Sequence, residues 1–320
     1  MPATTPGDSS PAPRSETALA KREAWLVRRE RGSRLGVRAL LWVTRVIGRG
    51  GGRALLRVIM FYFTLFAPAA RRASRQWYER VTGRSSFWTA YRHMLRFAEV
   101  AYDRVFLVRG EVERFEIEHE GHQLLRDAIA SGRGAILLGA HFGSFEAMHA
   151  AAKDASLPVN ILAHNDNARM IAAFLDEASG GRAKVRVIEI DPAARTYILE
   201  VQRCIARGEL VAVLGDRLGL NDRSATVEFF GAPARFPTGP YIMASVLRCP
   251  VLMVFATYHA PRRYTLRCEL LADRIELPRA TRDQATTAYV ERYAERLEHH
   301  ARAAPDNWFN FFDFWSKPAD

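Results

Sequence analysis

Two patterns of apolar residues alternate along this chain. Short continuous runs of strand length occur at Ala135–Leu138, Pro158–His164, Val185–Ile190, Leu210–Leu214 and Val251–Tyr258. Between them, apolar positions recur at helical spacing in Gly121–Ser131, Asn165–Ala178, Ala193–Ala206 and Gly239–Arg248, the last with Pro240 at its start. Strands alternating with helices predict βαβ units, and therefore an α/β fold with a largely parallel central sheet flanked by helices. Thr89–Phe106 and Thr281–Ala304 read as further core-facing helices, the second carrying Tyr289, Tyr293 and Leu297 on one stripe. Phe115–Glu118 and Val227–Phe230 are candidate short strands, and Thr265–Ala272 is expected to add an antiparallel edge.

The N-terminal quarter has a different texture. Residues 1–20 are rich in Pro, Ser, Thr and Ala and lack the apolar core of a signal peptide, which predicts a disordered tail. From Lys21 to Arg53 arginines alternate with Trp, Leu, Val and Ile, the mix of basic amphipathic helices, until Gly48–Gly52 interrupts them. Val58–Ala70 is uncharged and apolar, but it is shorter than the roughly 20 residues of a spanning helix and contains Pro68. Residues 21–72 are therefore expected to be a helical membrane-associating segment, peripheral or a single anchor, ahead of a catalytic domain at 73–320.

Charge agrees with this division. Of the net +11, residues 1–85 hold 17 Lys+Arg against 5 Asp+Glu, and residues 86–320 hold 29 against 30. The basic character is local, and a polyanion would be steered to that segment alone. Apolar and aromatic residues between the arginines favour anionic membrane lipid over nucleic acid. The three cysteines, Cys204, Cys249 and Cys268, are isolated, so neither a disulfide framework nor a zinc site is expected. HEGH at His119–His122 is not a metalloprotease motif, and no glycine-rich nucleotide loop occurs, so neither a metal nor a nucleotide cofactor is expected.

Candidate chemistry gathers in GAILLGAHFGSFEAM, Gly134–Met148: a strand, a turn and the start of a helix. His141 and Glu146 are five positions apart, which on one helix would place them roughly 140° around the axis. For the two to meet, His141 has to sit in the turn with Glu146 reaching back from the first helical turn, as a general base with a carboxylate orienter. Ser144 lacks the G-x-S-x-G elbow of a nucleophile and suits a helix cap. Asp216 and Arg217 follow a second strand, and chemistry in open parallel sheets collects at the carboxyl ends of strands.

HFGSFE, followed by GDR at Gly215–Arg217 and by VEFFGAPARFPTGP at Val227–Pro240, resembles the bacterial lipid A lauroyl/myristoyl-type acyltransferases of the lysophospholipid acyltransferase superfamily. The resemblance runs from about residue 40 to 315. It implies transfer of an acyl chain from an acyl thioester, on acyl carrier protein or coenzyme A, to a hydroxyl of a lipid or glycolipid. It also implies a location at the cytoplasmic face of the bacterial inner membrane. The donor is a substrate, and no separate cofactor is implied. Carried over, His141 is the catalytic histidine and Glu146 the acid of the His-x4-acid motif. Asp216, Arg217, Gly143, Ser144, Phe230 and Gly231 are then candidates for substrate binding, with backbone N–H groups near Gly143, or a nearby Arg, as oxyanion donors. Thr238 stands where glycerol-phosphate acyltransferases carry an acid, which argues against glycerol 3-phosphate as acceptor. The rival reading is a non-catalytic module of the same fold that binds membranes or acyl chains.

Overall fold

The computed structural model describes residues 34–154, 159–164, 186–190, 196–219 and 222–315. The expected tail at 1–20, the basic stretch before Arg34 and the helix at Asn165–Ala178 lie outside them. The chain divides into two compact units, one holding residues up to Leu55 and one running from Leu56 to Trp315.

Helix α1, Arg34–Phe66, carries one non-helical residue, Gly48 at φ 80 and ψ 179. The glycine run therefore interrupts the helix at a single residue, and Gly50, Gly51 and Gly52 continue it. Within Met1–Leu55, Trp42, Val46 and Ile47 are exposed.

In Leu56–Trp315, α1 stops at Phe66 and α2, Pro68–Thr82, begins with the proline at its first turn, where the missing N–H costs nothing. Arg71 Nη1 donates to the carbonyls of Thr64 and Leu65 at 2.6 and 2.7 Å, satisfying orphan acceptors at the end of α1. Helix α2 buries Ala73, Ser74, Trp77 and Tyr78 on one stripe. Helix α3, Phe87–Val108, starts at a capping box in which Ser86 Oγ accepts from the Thr89 N–H and Thr89 Oγ1 accepts from the Ser86 N–H. Its buried face includes His93, Glu99 and Asp103, which apolar periodicity alone does not reveal.

The remaining elements follow in order: β1 Glu116–Glu120, α4 Gln123–Ala130, β2 Ala135–Gly139, α5 Phe145–Asp154, β3 Val159–His164, β4 Arg186–Ile190, α6 Tyr197–Ala206, β5 Leu210–Leu214, β6 Ser224–Phe229, β7 Ala232–Pro237, α7 Gly239–Leu247, β8 Val251–His259, β9 Arg263–Ala272 and α8 Arg282–Ala303. Among the described residues one seven-stranded sheet has the order β1-β9-β8-β2-β5-β3-β4, and β6–β7 form a separate hairpin. The fold is α/β with a largely parallel sheet, as the alternation of patterns predicts; the antiparallel pairing in the main sheet is β8 with β9.

One expectation needs correction. Strand β9 is not an edge, because β1 pairs in parallel along its outer side. The edge strand β1 is mostly exposed, and its alternating acids pair with arginines of the β8–β9 hairpin and β9: Glu116 with Arg262 at 2.6 Å and Glu120 with Arg267 at 2.7 Å. Charge on an edge strand discourages pairing with another chain.

Strand β2 is buried at every position between β5 and β8, as continuous apolar runs in the middle of parallel sheets are. Its register with β5 fixes the site. Ala135 pairs with Leu210 and Gly139 with Leu214, so the two strands end level. The Gly215 N–H donates to the Gly139 carbonyl at 2.9 Å and extends the ladder one step. His141 and Asp216 each lie two residues beyond their strand, and so face each other.

Candidate active site

His141 occupies the turn between β2 and α5. Its Nδ1 is 2.8 Å from Asp216 Oδ1, and its backbone N–H donates to Asp216 Oδ2 at 3.0 Å. The indole N–H of Trp308 donates to the same Oδ2 at 2.9 Å. Asp216 is wholly buried, whereas about 32% of the His141 side chain meets solvent. Burial alone would push the Asp216 carboxyl up. The His141 charge and hydrogen bond, Arg217 and the indole outweigh it and hold the group down at about 2. Desolvation and the Arg217 charge push His141 below its ordinary value, against the opposite pull of Asp216. A neutral imidazole facing an ionised carboxylate carries its proton on Nδ1, which leaves the Nε2 lone pair as the base.

The expected contact between His141 and Glu146 is not formed. Glu146 Oε1 is 2.7 Å from Arg104 Nε, and Oε2 accepts from Ser144 Oγ at 3.4 Å. The reason is register: the level ends of β2 and β5 put Asp216 on Nδ1, while Glu146, in the first turn of α5, points to Arg104 on α3. Ser144 is fully buried and its Oγ accepts the Ala147 N–H at 3.1 Å, a helix cap.

The turn itself is pinned from both sides. The Gly143 N–H donates to the Asn307 carbonyl at 2.8 Å, the Ser144 N–H to the Ala256 carbonyl at 3.1 Å, and the Phe309 N–H to the His141 carbonyl at 2.8 Å. The Gly143 and Ser144 N–H groups are thus committed, and the expectation that backbone donors near Gly143 serve an oxyanion is corrected. Gly143 has φ +64, and a Cβ there would sit 1.5 Å from the Ala256 carbonyl oxygen, so no other residue fits.

Arg217 lies beside the pair. One Nη2 N–H reaches the Phe309 carbonyl, the guanidinium sits 5.4 Å from the Phe312 ring centre, and Nε is buried with no hydrogen-bond partner among the described residues. A buried cationic N–H without an acceptor is unusual, because leaving it so costs about 1–3 kcal/mol or more.

Residues 85–317 match the model of the bacterial lipid A biosynthesis acyltransferase family. The chain belongs to that family. No curated protein matches it. Membership carries acyl transfer to lipid as the general activity, with a lipid acceptor and an acyl donor as partners.

In this acyltransferase the structure brings His141, Gly143, Ser144, Asp216 and Arg217 together. Phe230 and Gly231 belong elsewhere. They form the two-residue turn of the β6–β7 hairpin, both at positive φ, 51 and 72, as a type I′ turn demands. Phe230 lies against Trp77, with ring centres 5.0 Å apart, and under the Arg302 guanidinium at 4.7 Å; its N–H donates to Glu298 at 2.7 Å. This tight turn places Phe230 against Trp77, in the aromatic packing that also holds Trp308.

Three contributors have no local signal in the sequence. Asn307 caps the end of β8 through Tyr258, accepting from its N–H at 2.7 Å and donating to its carbonyl at 3.2 Å. Trp308 reaches Asp216, and Arg104 takes Glu146. The aromatic tail that contains Trp308 and Phe309 is core rather than surface at those two residues, which are 0% and 6% exposed. Among the described residues no group of three or more His, Cys, Asp or Glu is arranged to hold a metal ion.

Proposed function

We propose that the chain is a membrane-associated O-acyltransferase. It moves an acyl chain from an acyl thioester, on acyl carrier protein or coenzyme A, to a hydroxyl of a lipid or glycolipid at the cytoplasmic face of the inner membrane. The observation that carries this reading is the His141–Asp216 pair at the level ends of two parallel strands. Nε2 of His141 takes the proton of the acceptor hydroxyl as its oxygen attacks the thioester carbonyl. Asp216 holds Nδ1–H and stabilises the imidazolium. The tetrahedral intermediate collapses, the C–S bond breaks, and the departing thiolate receives the proton from His141. No covalent acyl-enzyme is required. The Arg217 charge beside the pair favours the developing oxyanion electrostatically.

The membrane assignment is supported by an aromatic face in which Val58, Tyr62, Phe66 and Trp88 are each more than half exposed. Phe61 stacks on Trp88 at 6.2 Å, so the α1 and α3 parts of this face are continuous. Among the described residues no single helix is long and apolar enough to cross a membrane; the pair Trp42–Phe66 and Pro68–Thr82, bent by 95°, qualifies together by length and composition.

The test is acyl transfer by the purified full chain, with labelled acyl carrier protein and coenzyme A thioesters and an inner-membrane lipid extract. Wild type should acylate a lipid hydroxyl and His141→Ala should not, with the same circular dichroism. A folded, active His141→Ala sinks the mechanism, and a folded wild type that binds acyl donors without turnover identifies a non-catalytic binding module.

A further inference from the structure

Between α8 and the end of the described chain, residues 305–310 form a strap over the catalytic turn, and Trp308 reaches the reacting pair from it. Trp308 is fully buried, with its indole N–H 2.9 Å from Asp216 Oδ2. Its ring is fixed by edge contacts to Trp77, Phe314 and Phe229, with centres 4.6, 4.9 and 5.4 Å away. Its carbonyl is 2.8 Å from His93 Nε2.

We propose that Trp308 is a positioning residue for acyl transfer, whose indole N–H locks Asp216 with Oδ1 toward His141 and tempers the charge that this carboxylate presents to the imidazole. The proposal rests on the reading of His141 as general base. Oδ1 takes the imidazole, whereas Oδ2 takes two donors, the His141 backbone N–H and the indole. Without the indole, Oδ2 keeps one main-chain donor and the carboxylate has freedom to turn. It also carries more charge toward Nδ1, which favours the imidazolium and raises the pH at which His141 loses its proton.

Among the described residues few other ionisable groups face this pair. Arg217 comes from the end of β5 and opposes protonation of His141. Tyr293, from α8, feels Asp216, but its hydroxyl donates to the Gly139 carbonyl at 2.8 Å. His93, from α3, is hydrogen-bonded to the Trp308 carbonyl. Burial, with the Arg92 charge, brings it down to about 4 and keeps it neutral. None of the three can replace the indole donor on Oδ2. If Trp308 mattered for packing alone, removing its N–H would leave the His141 titration where it is.

The variant Trp308→Phe keeps an aromatic ring in the same cluster and removes the N–H. The imidazole of His141 is titrated by NMR in the full chain, with its signal assigned by loss in His141→Gln. The midpoint should rise by on the order of half a pH unit. The acid limb of the kcat profile should move up with it, kcat should fall about tenfold, and KM should stay within about twofold. An unmoved His141 midpoint in folded Trp308→Phe overturns the proposal. Should that variant not fold, benzothienylalanine at position 308 replaces N–H by sulfur in the same outline, and the same titration decides. Absence of turnover in the folded wild type refutes the acyl-transfer reading instead, so the two failures are distinguishable.

Discussion

Nδ1 of His141 lies 2.8 Å from Oδ1 of Asp216, a residue 75 positions further along the chain, while the acid five positions away, Glu146, is bound to Arg104. The pairing makes a direct prediction about two carboxylates that the motif alone would rank the other way. Asp216→Asn removes the charge that stabilises the imidazolium and disturbs the tautomer, and kcat should fall by about 10²–10⁴ with the fold intact. Glu146→Gln loses an ion pair with a partly exposed arginine and should cost less than about tenfold. Parallel steady-state assays check the order; equal losses in the two variants would assign the orienting role to both.

Stability should fall in mild acid because of His93, which is held between Ser74 Oγ at 2.9 Å and the Trp308 carbonyl at 2.8 Å. Burial first, and then the Arg92 charge, lower it from 6.5 to about 4. Between those values the unfolded chain binds a proton that the folded chain refuses, so stability is lost as pH falls from 6.5 toward 4. The loss amounts to about 3 kcal/mol. Urea unfolding across that window should show the drop. In His93→Gln the protein should start less stable at pH 7 and lose less on acidification, with the His141 contribution remaining.

Gly143→Ala should not be tolerated. The added methyl group meets the Ala256 carbonyl oxygen at 1.5 Å, and the backbone is in the left-handed region. Relief requires breaking the bonds from Gly143 to Asn307 and from Ser144 to Ala256, which together hold the His141 turn. A destabilisation above about 3 kcal/mol is expected from strain and overpacking. Denaturant midpoints give the first number, and activity of the remaining folded fraction shows whether the turn still delivers His141.

The exposed aromatic face should govern vesicle binding rather than folding. Tyr62, Phe66 and Trp88 are 58%, 66% and 64% exposed, so replacing all three with serine removes little from the core. Retention on anionic phospholipid vesicles should fall at least about tenfold while thermal unfolding is unchanged. Vesicle binding equal to wild type would place the membrane contact elsewhere.

Much of the architecture was legible because its signals are local. Continuous apolar runs marked β2, β5 and β8, helical spacing marked α3 and α8, and Pro240 marked a helix start. The edge assignment failed at β9 because β1, with three acids in EIEHE, gives little sign of pairing until Arg262 and Arg267 are beside it. The His141 turn was legible as a strand, a glycine-containing turn and a histidine. Its partner was not, since the nearest acid in sequence outranks a distant one only while register is unknown.

By itself the sequence determined the alternation of strands and helices, the position of His141 after a buried strand, and the placement of Asp216-Arg217 after another. These follow from periodicity and turn chemistry, which act over a few residues. Tertiary structure alone decided that β2 and β5 are neighbours with level ends, that Asp216 rather than Glu146 meets His141, and that Trp308 and Asn307 close the turn from the far end of the chain. Those contacts depend on strand order and register, which are settled by burial of whole faces against one another and leave no trace at any single position.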